Sequence, residues 1–116
     1  MTDSNDKFQE KIRLIAITFV EKLPEKINRI ESLWSQLKAE WNIEVLQTLH
    51  RTIHGLSDSS KAFGFSEIEN VVCILEQSFK DLVQNEVSAS DEQYAEIDQH
   101  LLKLKQVATD ATPDQV

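Results

Sequence analysis

Apolar residues in this chain recur at alternating spacings of three and four, which places them on one face of an α-helix turning 100° per residue. The first such stripe, Ile12, Ala16, Phe19, Leu23, Ile27, Ile30, Trp34 and Leu37, keeps its phase through Pro24. A loop at the proline would reset that phase. The pattern therefore predicts a first helix kinked near Pro24, or divided there into two nearly collinear pieces, with the backbone bond to Val20 lost. Residues 1–5 are polar and expected to fray, and Asp6 with Gln9 three later marks the helix start. Glu40, Trp41 and Asn42 form a short connection, Asn42 caps a second helix from Ile43 to about Ala62, and Leu49, Ile53, Leu56, Ser60 and Phe63 are its stripe.

Gly64 suits the left-handed conformation that ends a helix, and Ser66 with Glu69 is a capping box opening the third. That helix presents Phe65, Ile68, Val72, Leu75, Phe79 and Leu82. After a polar linker, Gln84 to Ala89, Ser90 with Gln93 caps a last helix carrying Tyr94, Ile97, Leu101, Leu104 and Ala108. Four stripes joined by short connections predict an all-α, antiparallel up-down four-helix bundle over residues 6–108. Residues 109–116, with Pro113, have no stripe and read as a flexible tail or the start of a linker. Each stripe finds its partner within the chain, so a monomer is expected.

Composition sharpens this picture. The 116 residues include only two glycines and two prolines, which favours helices over strands and turns. A net charge of −8 disfavours nucleic acid and anionic membrane as partners, since both select a basic face. The single cysteine, Cys73, has no internal disulfide partner, and its place beside Val72 and Leu75 reads as a buried, inert thiol. No apolar run approaches the roughly 18 residues of a membrane span, and the acidic N-terminus is no signal peptide, so a cytoplasmic address is expected.

Candidate chemistry concentrates between Leu49 and Phe65. His54 lies roughly 130° from the centre of the second stripe, on a polar face with Gln47, His50, Ser57, Asp58 and Lys61. Read alone, it is an exposed histidine on a soluble helix. His50, His54 and Asp58 at i, i+4 and i+8 invite a metal reading. Side chains two turns apart seldom share one ion, however, and Arg51 stands where the HExxH pattern needs a glutamate. No metal site is expected, and His100 on the last helix reads as a boundary residue. Nucleophilic triad, Gly-rich phosphate loop and paired Cys/His motifs are absent from the sequence, so no autonomous catalysis is expected. Gly55, inside the second helix, costs about 1 kcal/mol relative to alanine.

His54, Leu56, Ser59, Ser60, Phe63 and Gly64, followed by Phe65 and an apolar helix to Glu76, resemble the signature of histidine-containing phosphotransfer (HPt) domains. Phe19-Val20-Glu21-Lys22-Leu23-Pro24 with Ile27, Ile30 and Leu33 resembles the preceding helix of that family. The resemblance implies a phosphorelay carrier, with His54 accepting and donating a phosphoryl group between receiver-domain aspartates in two-component signalling. The implied partners are a response-regulator receiver domain and a hybrid sensor kinase. No cofactor is implied on this chain, Mg²⁺ being needed only in the receiver.

His50, Ser57, Asp58 and Lys61 would face phosphate or receiver, and Gly64 would be the structural turn. The sequence departs from the family where a Lys-Gly pair usually follows the histidine by three and four residues: here stand Ser57 and Asp58. The lysine is thought to counter phosphoryl charge and the glycine to make room for the receiver, so the departure bears on rate and partner choice. Lys61, roughly 20° from His54 on the wheel, is the substitute cation, with Arg51 also near. The competing class is a phosphate-independent helical interaction module using the same face.

Overall fold

The computed structural model describes residues 3–85 and 88–111, with side chains from Lys7 onward. Four helices follow in order: α1 (Asp3–Ala39), α2 (Ile43–Ala62), α3 (Ser66–Asn85) and α4 (Asp91–Thr109). Among the described residues there is no strand, and no described helix is long and apolar enough to cross a membrane. α1 packs on α2 and α4, and α3 packs on the same two from the other side, so the helices close a ring around one core.

The stripes meet in that core as their spacing requires. Leu23, Ile30, Trp34 and Leu37 of α1, Leu46, Leu49 and Ile53 of α2, and Ile68, Leu75, Phe79 and Leu82 of α3 are all but inaccessible to solvent. Trp34 anchors the end of the bundle near the α1–α2 connection, its ring 5.6 Å from Phe79 and 5.2 Å from Tyr94. Burying a side chain such as Phe79 contributes about 1.5–3 kcal/mol. The Trp34 indole N–H donates to Asp98 at 2.8 Å, so its polar atom is not stranded. Asp98 also pairs with Lys38 at 3.1 Å, and Glu31 with Lys105 at 2.9 Å, so later residues of α1 meet earlier residues of α4.

Caps hold the helix ends. The Asn42 side chain accepts from the Glu44 and Val45 amides at 2.8 and 3.2 Å, and Ser90 with Gln93 forms a reciprocal box at 3.2 and 2.8 Å. Gly64 has φ 76°, a conformation costing residues with a Cβ about 1–2 kcal/mol. The Phe65 amide then donates to the Ser60 carbonyl at 2.8 Å, closing the turn.

Several expectations are corrected. α1 starts at Asp3 rather than Asp6 and runs undivided through Pro24. Ile12 is not core: it is 42% exposed, because the bundle ends at the level of Phe19, whose ring packs on Phe63 and Phe65. Ser66 is already the first residue of α3, which reaches Asn85, so Gln84 is helical rather than linker. Ala89 is buried, whereas residues 86 and 87 lie outside the described set. Cys73 is exposed; it lies roughly 140° round the helix from the α3 stripe, and adjacency in sequence to core residues did not bury it. In α4, Val107 is buried and Tyr94 and Ala108 only partly so. Ala111 packs against the core, and residues 112–116 of the expected tail lie outside the described set, as do residues 1 and 2 of the expected frayed start.

A Cβ built on Gly55 meets nothing within 4 Å. No internal contact therefore opposes Gly55→Ala, and the exchange is expected to raise unfolding free energy by about 1 kcal/mol in urea denaturation.

Candidate functional site

Two helices build the site. α2 presents His54 outward, its side chain 57% exposed, and α3 brings Glu76 alongside. The turn at Gly64 sets them level: ten residues separate His54 from the glycine and twelve separate Glu76 from it, roughly 15 and 18 Å of helix. The His54 Nδ1 lies 2.6 Å from Glu76 Oε1, a short hydrogen bond across the α2–α3 interface. On the other side of the ring, Nε2 is 3.4 Å from Asp58 Oδ2, one turn further along α2. The imidazole is therefore held between two carboxylates, one across the interface and one on its own helix.

Both partners titrate away from their ordinary values. The pKa of His54 is raised, chiefly by the hydrogen bond it donates to Glu76, then by the charges of Asp58 and Glu76. That of Glu76 is lowered, first by the His54 hydrogen bond and against the opposing effect of desolvation. The His54 charge, a hydrogen bond from the Ser57 side chain and the charge of His50 add to the lowering.

The remaining sequence candidates divide. Asp58 lies beside His54, 70% exposed. Ser57 is buried, not turned to solvent: it lies roughly 80° from the α2 stripe on the flank that α3 covers, and its hydroxyl serves Glu76. His50 is half-buried on that flank, with Nε2 enclosed and without a hydrogen-bond partner. Lys61 does not reach the imidazole: it lies seven residues, about 10 Å, along α2, and its Nζ stands 3.9 Å from Glu69. Arg51 is turned to Thr48 at 3.3 Å. His100 donates from Nδ1 to the Glu96 carbonyl, 2.7 Å away, remote from the site in sequence and on another helix. Among the described residues, no group of three or more His, Cys, Asp or Glu is arranged to hold a metal ion.

Glu76 is the residue that sequence reasoning missed as a participant. Its signal was weak but present: it lies roughly 80° from the centre of the α3 stripe, at the border where a helix meets its neighbour.

The shifts of the pair set a pH window. His54, with a raised folded value, contributes stability in full below its ordinary value of 6.5 and loses it as pH rises through the raised one. Glu76, with a depressed folded value, contributes in full above its ordinary value of 4.5 and loses it as pH falls through the depressed one. The stability difference between the wild type and His54→Gln is therefore expected to be greatest between those two ordinary values and to shrink on either side. Urea denaturation of both proteins across pH checks this.

Comparison with known proteins completes the picture. The model of the Hpt domain family matches residues 15–107. The match runs from α1 to the end of the α4 core stripe and includes His54, Asp58 and Glu76. No significant match is found among curated proteins or among solved structures. With four helices around one core and a family match over most of its length, the chain belongs to the Hpt domain family, whose members carry phosphoryl groups on histidine in phosphorelays and interact with receiver domains.

Proposed function

We propose that the bundle, residues 6–108, is a phosphorelay carrier that accepts a phosphoryl group on His54 from one receiver-domain aspartate and passes it to another. The observation that carries this reading is the short bond between Nδ1 and Glu76. With the Nδ1 proton donated to that carboxylate, the lone pair of the neutral ring is confined to Nε2, on the solvent side. In the transfer, Nε2 bonds to phosphorus as the bond from phosphorus to the donor aspartate oxygen breaks. The aspartate leaves as a carboxylate, and the proton stays on Nδ1, held in the hydrogen bond to Glu76. Glu76 thereby orients the ring and offsets the charge that the phosphorylated imidazole gains. Catalysis and its Mg²⁺ belong to the receiver, and the chain is a carrier rather than an enzyme. A receiver domain and a hybrid sensor kinase in the cytoplasm are its proposed partners.

The arrangement in which this works is an up-down antiparallel bundle, supported by the opposed sense of the pairs Glu31–Lys105 and Trp34–Asp98 on α1 and α4, and of His54–Glu76 and Lys61–Glu69 on α2 and α3. A bend at Pro24 would follow from the backbone bond that proline cannot make.

The competing reading is a phosphate-independent binding module using the same face. Asp58 favours it, since a carboxylate 3.4 Å from Nε2 opposes an incoming phosphoryl group.

Two experiments test these readings. His54→Gln is expected to keep the helical spectrum yet take up no acid-labile phosphate from a phosphorylated receiver domain, whereas His50→Gln keeps uptake. Labelling that follows His50 would move the acceptor. Asp58→Gly, which removes the carboxylate beside Nε2 and leaves the buried Ser57 in place, is expected to speed uptake, at a helix cost of about 1 kcal/mol for the glycine. No gain in rate with a large loss of receiver affinity would select the binding module.

A further inference from the structure

Hydroxyls within these helices mostly turn back on their own backbone. Thr18, Thr48, Thr52, Ser60, Ser78 and Thr109 each donate to a carbonyl three or four residues earlier, at 2.8–3.1 Å. Ser57 departs from this habit. Its hydroxyl reaches across the α2–α3 interface to bond the Glu76 carboxylate. Ser57 is also only 5% exposed, so its O–H is shut off from bulk solvent and needs an acceptor within the protein.

Three side chains of α2 act on Glu76, and they do so differently. His50 acts through charge alone, its enclosed Nε2 making no hydrogen bond. His54 and Ser57 both bond the carboxylate, His54 through Nδ1 at 2.6 Å from Oε1. These two residues lie three positions apart, about 4.5 Å along one helix, close enough for a single carboxylate to serve both.

We propose that Ser57 is a positioning residue for the transfer, an inference that rests on the carrier reading: its hydroxyl pins the Glu76 carboxylate in the ionised, ring-facing arrangement that keeps the proton on Nδ1 and the lone pair on Nε2. The chemistry follows from the inventory of donors and acceptors. An ionised carboxylate only accepts, whereas a protonated one carries an O–H of its own. Between Nδ1 and Oε1, 2.6 Å apart, one proton has two sites, and a second donor on the carboxylate stabilises its charged form and so holds that proton on nitrogen. When Nε2 bonds to phosphorus and the bond from phosphorus to the donor oxygen breaks, no proton has to move.

Two other roles fit the position less well. A residue that only filled the interface would have no need of an O–H, which burial makes costly to leave unpaired. A ligand of the phosphoryl group would have to face Nε2, but Ser57 is buried against Glu76, which engages Nδ1, while Nε2 lies toward solvent and Asp58. The serine that stands in place of the family's usual lysine therefore acts through Glu76 rather than on the phosphoryl group.

A mutant cycle on the full chain tests this, with Ser57→Ala, Glu76→Ala and the double variant. Phosphate uptake from a phosphorylated receiver domain is expected to fall about tenfold in Ser57→Ala. In the Glu76→Ala background the same exchange is expected to change the rate by less than about twofold, since Ser57 acts only through that carboxylate. Nitrogen-15 and carboxyl carbon-13 NMR gives a second readout that needs no phosphate. At a pH where His54 is neutral, Ser57→Ala is expected to move its ring from the Nδ1–H tautomer toward a mixture with Nε2–H. The same variant is expected to raise the titration of Glu76 toward its ordinary value of 4.5.

A Ser57→Ala protein whose tautomer and Glu76 titration match the wild type overturns the proposal, as does uptake that Ser57→Ala leaves unchanged. So does an equal loss of uptake with and without Glu76, which would make Ser57 a packing residue. A wild type that takes up no phosphate defeats the carrier reading instead, and the NMR comparison still decides whether Ser57 holds Glu76 against the ring.

Discussion

The turn at Gly64 is the constraint on which the functional face depends. A left-handed residue there lets α2 and α3 fold back on one another within three residues, and the Phe65 amide ties the turn to Ser60. Once that register is set, residues equally far from the turn lie level, so Lys61 finds Glu69 and His54 finds Glu76. A one-residue slip would rotate α3 by 100° and carry Glu76 off the interface. Phe63 and Phe65 flank the glycine and pack on Phe19, so the same turn docks the α2–α3 pair onto α1. The core and the site therefore share one geometric origin.

The helices were legible because their stripes depend only on local spacing. Asn42, Gly64 and the Ser90–Gln93 box were legible for the same reason: each acts within three residues of its own position. What escaped depended on the neighbour rather than on the helix. A wheel drawn for α2 places Ser57 among polar residues, but only the approach of α3 buries it. A wheel for α1 continues the stripe to Ile12, but only the ends of α2 and α4 decide where cover stops. Glu76 is the clearest case, because its role lies in a residue twenty-two positions away and on another helix. Cys73 is the converse, since its own wheel angle already placed it outside and sequence adjacency misled.

The electrostatics of the face are more acidic than a phosphate-binding surface would suggest. Glu76 and Asp58 engage both ring nitrogens, so they shift His54 toward the imidazolium, which has no lone pair with which to attack. The two carboxylates nevertheless act differently. Glu76 is 24% exposed and touches Nδ1, so it holds a proton that a phosphorylated ring also carries. Asp58 is mostly exposed and stands beside Nε2, where the bond to phosphorus would form. The first supports the phosphorylated state and the second opposes it.

That opposition gives the proposed carrier a direction. A phosphoryl group on Nε2 brings close to two negative charges beside the Asp58 carboxylate, and no lysine stands at Ser57 to offset them, Lys61 being engaged toward Glu69. Repulsion of this kind raises the phosphorylated state relative to the free one. It weakens uptake from a donor aspartate and strengthens onward transfer by the same factor, because the equilibrium constants of the two half-reactions share that state. The repulsion is relieved when a receiver brings a cation opposite Asp58, since the pair is then drawn from water and screened less. On this reading a residue unfavourable to phosphate in the isolated domain becomes favourable in the right complex. Asp58 would then select the partner through the same charge that slows transfer with a generic one.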